Sequence, residues 1–218
     1  MRALDGNLNP LQGLTNNDDL ASARHGMASS GQIDDAIPQI HLQDLGTFEG
    51  KKIEWPELEG YDEKHGLNTA KLALVILSYT WPELNNDENQ AILWCAALLH
   101  DLGRQEDFRS PDTVSADRSA KLADAILRNP VHGVELNGAL REGVCKLIAN
   151  LDPASDTLPQ DALSQALWDA EAYEYSRLRP NSYDGLALVK KHTAPERLCT
   201  TWAKSRDNLK RYMSWRGW

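Results

Sequence analysis

Apolar residues recur at helical spacing through most of the chain after residue 48, and hardly at all before it. Residues 61–79 carry Leu67, Leu72, Leu74, Val75, Ile76 and Leu77, apolar on so many sides that a central, buried helix is predicted. Trp81-Pro82 ends it, and Asn86-Asp87-Glu88 opens a second helix bearing Ala91, Ile92, Trp94, Cys95, Ala96, Leu98 and Leu99. A loop broken by Pro111 follows from residue 105 to about 115. Helices are then predicted over 115–127, stopped by Asn129-Pro130, over 135–149 and over 161–178. A helical turn at 186–190 and a last amphipathic helix over 195–213 complete the pattern. Residues 51–56 read as an extended lead-in, because Pro56 biases Trp55 away from helix. Strand-like alternation is absent, so the expected class is all-α, a compact bundle of about six helices.

Residues 1–48 form a different kind of text. Asn, Asp, Gly and Ser are dense, as in Asn16-Asn17-Asp18-Asp19, and no apolar period survives beyond a turn. They are expected to be a polar arm, either flexible or docked through Leu11, Leu14 and Ile40, while residues 49–218 form the helical domain. No internal repeat is visible.

Charge and cysteine usage narrow the partners. With a net charge of −9, general affinity for nucleic acid polymers or anionic membranes is not expected. No apolar run is long enough to span a bilayer, and Met1 to Gly6 lack the apolar core of a signal peptide. The three cysteines, Cys95, Cys145 and Cys199, are far apart and odd in number, as expected of reduced thiols in a cytoplasmic protein.

The candidate chemistry sits at the end of the second helix. Ala96-Ala97-Leu98-Leu99-His100-Asp101-Leu102-Gly103-Arg104 runs an apolar segment straight into two metal-ligand residue types. Gly103 is placed to stop the helix in a left-handed cap, and the His-Asp pair would then sit at a helix end where side chains converge. Partners occur on both sides. Asp169 lies among small helical neighbours, Ala162 and Ala166, and needs a cation, a metal or hydrogen bonds if buried; a salt bridge to Arg177 is the plainer alternative. His65 opens the central helix, a position where a lone histidine is more often a surface residue or a satisfied hydrogen-bonder.

A histidine, then His-Asp, then a distant Asp, each on its own helix, resembles the HD superfamily of metal-dependent phosphohydrolases over about residues 61–180. The segment around His100-Asp101 is similar to that family's core motif. Asp169-Ala170-Glu171-Ala172-Tyr173-Glu174, followed by Arg177-Leu178, looks like its Asp-Ala-Asp-Ala-Leu-Asp segment ending in Arg-Leu. Ser119-Ala120 falls where a subgroup has Ser-Ala. That subgroup reads His-Gly-x-x-His at the first helix and uses the second histidine as ligand; here Thr69 or, with a one-residue shift, Asn68 stands in that slot, and His65 comes one turn early. Ser115-Ala116 and Asn150-Leu151 stand where related proteins carry histidines of a second metal site, so one ion is expected.

The resemblance implies an HD-domain-like bundle and a hydrolase acting on a small phosphorylated substrate, such as a nucleotide. His65, His100, Asp101 and Asp169 would hold one divalent transition metal ion, Mn, Fe, Co, Ni or Zn, a choice that mixed N/O ligands do not decide. Asp101 or Asp169 would orient a water, while Arg104 and Lys71 would neutralise the phosphate, Arg104 having an ion pair with Asp101 or Glu106 as its alternative. Glu171 and Arg177 are expected to support the site from outside it or to serve structure, and His25, His41, His132 and His192 carry no assigned role. Trp202, Trp215 and Trp218 either pack the last helix or form a contact between copies in a homo-oligomer. Two other readings stay open: a decayed HD-fold site that binds a ligand or partner without catalysis, and an HD enzyme of other chemistry such as a metal hydratase.

Overall fold

The computed structural model describes residues 45–56, 63–104, 112–128, 137–151, 157–175 and 194–215. Among them are seven α-helices: α1 (Glu63–Thr80), α2 (Asp87–Leu99), α3 (Asp112–Leu127), α4 (Gly138–Ala149), α5 (Ala162–Tyr175), α6 (Thr201–Lys204) and α7 (Arg206–Trp215). The only strands among these residues are β1 (Thr47–Phe48) and β2 (Lys51–Lys52), an antiparallel hairpin with Thr47 opposite Lys52. The all-α expectation is met. None of the described helices is long and apolar enough to cross a membrane.

The hairpin is small because its turn is tight. Glu49 (φ 51°) and Gly50 (φ 76°) both lie in the left-handed region, as a two-residue turn matching the right-handed twist of two strands requires. Ile53 N–H donates to Gly46 O at 2.8 Å, and Leu45 and Ile53 are buried in the core. Residues 45–48, which the polar pattern places in the arm, are thus tied to the body. Residues 1–44 lie outside the described part of the chain.

Helix α1 packs against α2 on one side and α5 on the other, α2 packs on α4, and α3 on α4. Ile76, Leu77, Leu93 and Leu99 are fully enclosed there. Each such side chain contributes roughly 1.5–3 kcal/mol by leaving water. The centrality predicted for 61–79 holds. Gly66 explains how close α1 and α2 come: a Cβ at this position would lie 2.5 Å from Leu98 O. The glycine is therefore needed for the contact between the two helices.

Helix α2 is capped by Asn86, whose side chain accepts from Asn89 N–H at 3.0 Å, and it gives way at His100, still in right-handed helical conformation. A 3₁₀ turn over Leu102–Arg104 follows. Gly103 is not a left-handed cap, since the positive φ glycines among the described residues are Gly46 and Gly50. Its lack of a side chain admits α3 instead: an added Cβ would collide with Ser115 O, Ser119 N and Ser119 Oγ. Gly103 N–H donates to Ser119 Oγ at 2.8 Å, pinning the His-Asp turn to α3.

Three helix boundaries differ from the pattern. Helix α3 starts at Asp112, three residues before the expected start. Helix α4 starts later, at Gly138, because the Asn137 side chain accepts from Leu140 N–H at 3.0 Å and ends the run there. The continuous helix expected over 195–213 is instead a 3₁₀ turn (Pro195–Arg197), α6 and α7. Thr200 Oγ1 takes Ala203 N–H at 3.0 Å and Ser205 Oγ takes Asn208 N–H at 3.4 Å, so side chains cap two new starts where the pattern alone suggests one helix. The helical turn expected at 186–190, Asn129-Pro130 and residues 176–178 of the fifth predicted helix lie outside the described residues. The three cysteines form no disulfide.

Candidate metal centre

Three elements converge on one buried spot. Helix α1 brings His65 at its third residue, the end of α2 and the turn after it bring His100 and Asp101, and α5 brings Glu171. Each offers one ligand atom, and these atoms all lie within 4.8 Å of one another. His65 Nε2 is 3.3 Å from Asp101 Oδ2 and 3.0 Å from Glu171 Oε2. His100 Nε2 is 3.2 Å and 3.1 Å from the same two oxygens. The rings stand 5.2 Å apart, tilted by 55°. All four residues are buried, none more than 6% exposed.

The protonation of one ring can be assigned from its neighbour. His100 Nδ1 lies 2.7 Å from Ala97 O. A carbonyl only accepts, so Nδ1 carries the proton, and in the neutral ring the Nε2 lone pair faces the centre. His100 Nε2, Asp101 Oδ2 and Glu171 Oε2 are buried without a well-aligned hydrogen bond, although they lie close together. Atoms in that condition fit a ligand drawn into their midst better than a closed hydrogen-bond network.

The electrostatics agree. Burial works against the charged form of His65, yet Glu171, with Asp101 and Glu174, outweighs it and lifts its pKa well above the usual imidazole range. Burial opposes the charged form of His100 as well, but Asp101 and Glu171 raise it to about 9. Burial would push the Asp101 carboxyl up, whereas His100, His65 and Arg104 hold it well below the ordinary range. Burial is likewise outweighed at Glu171 by His65 and His100, which hold it low. Two imidazoliums against Asp101 and Glu171 sum to zero charge; a divalent ion with two neutral imidazoles and the same two carboxylates also sums to zero. The residues present can therefore hold a metal ion in exchange for two protons without burying net charge.

The other expected site residues are placed differently. Asp169, proposed from its motif position as a ligand, is not in the group. Its Oδ1 accepts from Cys199 N–H at 2.7 Å and its Oδ2 from Thr200 N–H at 2.8 Å, so it holds the segment leading into α6. Burial raises its pKa despite those donors. The physical reason is helix geometry: Asp169 and Glu171 are two residues, about 200°, apart and cannot face the same neighbour. Glu171, expected to act from outside the site, occupies it. It is the second acid of the Asp169-to-Glu174 segment, and its three-residue spacing to Glu174 within an otherwise apolar run was the available signal. Two carboxylates on one face of a buried helix need cations or hydrogen-bond donors.

Lys71 is exposed on α1, six residues after His65 and so about 240° around the helix. Arg104 is at the site's edge: its Nε donates to Asp101 Oδ1 at 2.7 Å, and its side chain is 20% exposed. Asn68 and Thr69 are buried but stand outside the group, in which His65 is the residue from α1. A separate groove of about 430 Å³ between α3 and α4 contains none of the site residues; there Asp124 pairs with Arg128 at 2.8 Å and Arg141 at 3.0 Å. Glu106, Arg177, His132 and His192 lie outside the described residues.

Fold and site together define a class: an all-α bundle enclosing a buried His/His/Asp/Glu group able to take a metal ion. In comparisons with known proteins, no family model matches the chain, and neither does any curated protein or solved structure.

Proposed function

We propose that the chain is a metal-dependent phosphohydrolase of the HD kind, acting on a small phosphate ester, with nucleotides among the candidate substrates. One observation carries the reading: His65, His100, Asp101 and Glu171 come from three separated stretches of chain yet turn their ligand atoms into one buried spot. Their order along the sequence is the order of the resemblance, with Glu171 in place of Asp169. These four residues would hold one Mn, Fe, Co, Ni or Zn ion. When bound, such an ion polarises a phosphoryl oxygen and lowers the pKa of water. Arg104 adds its 2.7 Å contact to His100 and His65 in keeping Asp101 ionised, and its partly exposed guanidinium is a cation suited to a phosphate oxygen. Asp101 Oδ2, turned inward while Oδ1 is held by Arg104, is the group suited to orient an attacking water.

The test is metal analysis of the purified protein together with phosphate release from a panel of nucleotides and simple phosphomonoesters. The expected result is about one ion per chain and release that is lost in His100→Ala. A protein that takes up no divalent ion would overturn the reading. A second reading has its own support, the near-complete burial of all four ligand residues, which suits a metal-held binding module. Stoichiometric metal without release of phosphate from any member of the panel would favour it.

A further inference from the structure

Helix α5 meets His65 with two carboxylates. Glu171 and Glu174 are three residues apart and so share a face. Glu171 Oε2 lies 3.0 Å from His65 Nε2, and Glu174 Oε2 lies 3.8 Å from His65 Nδ1. The ring is flanked at both nitrogens, with Nε2 turned to the ligand group and Nδ1 turned to Glu174. His65 and Glu174 are both 0% exposed. A carboxylate wholly removed from water is costly unless it faces a donor or a cation. Yet Glu174 is not one of the four residues whose ligand atoms converge.

The other imidazole shows what such a neighbour accomplishes. His100 Nδ1 is held by Ala97 O, three residues back in α2, which frees Nε2 for the centre. His65 is the third residue of α1, and Glu174 Oε2 on α5 is the carboxylate oxygen set beside its Nδ1. We propose that Glu174 is the positioning residue for His65: its carboxylate accepts the Nδ1–H, fixes the tautomer and ring angle, and leaves the Nε2 lone pair for a metal ion. The inference rests on the metal reading above. It explains how a histidine one turn from the expected slot serves as a ligand: a carboxylate on α5 orients the ring. A carboxylate behind a ligating histidine raises its basicity and orients it. At 3.8 Å the two groups are within ion-pair reach and beyond hydrogen-bond length, so the proposed bond requires the carboxylate to close on the ring.

The experiment uses the full chain and Co(II) alone, followed by its visible absorption. Glu174→Met keeps the bulk of the side chain and removes the acceptor; it is expected to weaken Co(II) binding roughly 10–100-fold. Glu174→Gln, which keeps an acceptor, is expected to restore most of that loss. In a His65→Ala background, Glu174→Met is expected to cause no further loss, because its effect passes through the missing ring. Wild-type affinity in Glu174→Met, or an equal further loss in the His65→Ala background, would overturn the proposal while leaving the metal site standing. Absence of Co(II) binding by the wild type would remove the metal reading and this inference with it. A readout that needs no variant is the long-range ¹H–¹⁵N spectrum of the Zn(II)-loaded wild type: Nδ1–H at His65 is expected, and an Nε2–H tautomer would contradict it.

Discussion

At the scale of single residues, the site depends on which of two acids faces inward. His100 and Asp101 were legible because a polar pair at the end of an apolar run is costly to bury without partners, and suitable partners occur on both sides of it in the sequence. His65 was legible only as a partner for that pair. The choice between Asp169 and Glu171 was not, because motif register names both and only the elements packed against α5 decide which is turned to the histidines. The structure makes the two separable by experiment. Glu171→Gln is expected to weaken metal binding at least roughly tenfold. Asp169→Asn is expected to leave metal binding intact and to lower stability by about 1–3 kcal/mol, because two backbone donors lose a charged acceptor. Equilibrium dialysis against Co(II) and urea melts of both variants check this; the reversed pattern would return the ligand role to Asp169. The pH dependence follows from the same groups. His100, lifted to about 9 when folded, stabilises the metal-free protein fully below its unfolded value near 6.5, and that stability is lost as pH rises from there toward 9. Asp101 and Glu171, held low, contribute above their ordinary range near pH 4 and lose that contribution as pH falls below it. Urea melts in EDTA are therefore expected to show greatest stability between about pH 4.5 and 6.5 and a decline above. Metal uptake should follow the opposite trend, strengthening as pH rises, because the ion displaces the imidazole protons. A flat stability profile from pH 6 to 9 would mean that the imidazoles are not charged in the metal-free fold.

At the scale of elements, the site is set by close approach as much as by ligands. Helix identity was readable from apolar spacing, and the class follows from it. The ends were less so, because Asn137, Thr200 and Ser205 act through side-chain capping that competes with a period rather than belonging to one. The roles of Gly66 and Gly103 were hidden for another reason: a glycine that admits a neighbouring backbone looks, in sequence, like one that ends a helix. Gly66→Ala tests the distinction. Alanine would favour an isolated helix by about 1 kcal/mol. Here its Cβ would lie 2.5 Å from Leu98 O, forcing α1 from α2 beside His65 and His100. The expected outcome is a net loss of roughly 1–3 kcal/mol together with weaker Co(II) binding. A variant with a higher melting temperature and unchanged metal affinity would show that the helices have room to spare. Helix α5 has a different division of labour on its two sides. Glu171 and Glu174 face the histidines, while Trp168 and Asp169 donate to or accept from the backbone of residues 197–200, and the Tyr173 hydroxyl donates to Ala203 O. The C-terminal segment thus clamps the helix that carries Glu171 into the buried group.

At the scale of the whole molecule, the question is where the independently folding body begins. The polar pattern sets the boundary at residue 49, because nothing before it repeats. The structure puts Leu45, 2% exposed, into the shared core, packs Phe48 partly against that core, and brings β1 against α3. A single buried leucine and a two-residue strand are too short to register as a period, so the sequence pattern does not show them. The four residues of the candidate metal centre all lie beyond residue 60, on α1, α5 and the end of α2 with its following turn. A chain starting at residue 45 is therefore expected to fold and bind Co(II) like the full chain. A chain starting at residue 49 loses Leu45, Phe48 and the Ile53-to-Gly46 hydrogen bond. By the burial of one leucine and part of one aromatic ring, it is expected to be less stable by roughly 2–4 kcal/mol, with metal affinity unchanged where it remains folded. Urea melts of the two truncated chains beside the full one make the comparison. Equal stability of both would mean that the hairpin is an ornament on the bundle. A chain starting at 45 that melts well below the full one would mean that residues 1–44 contribute to the body.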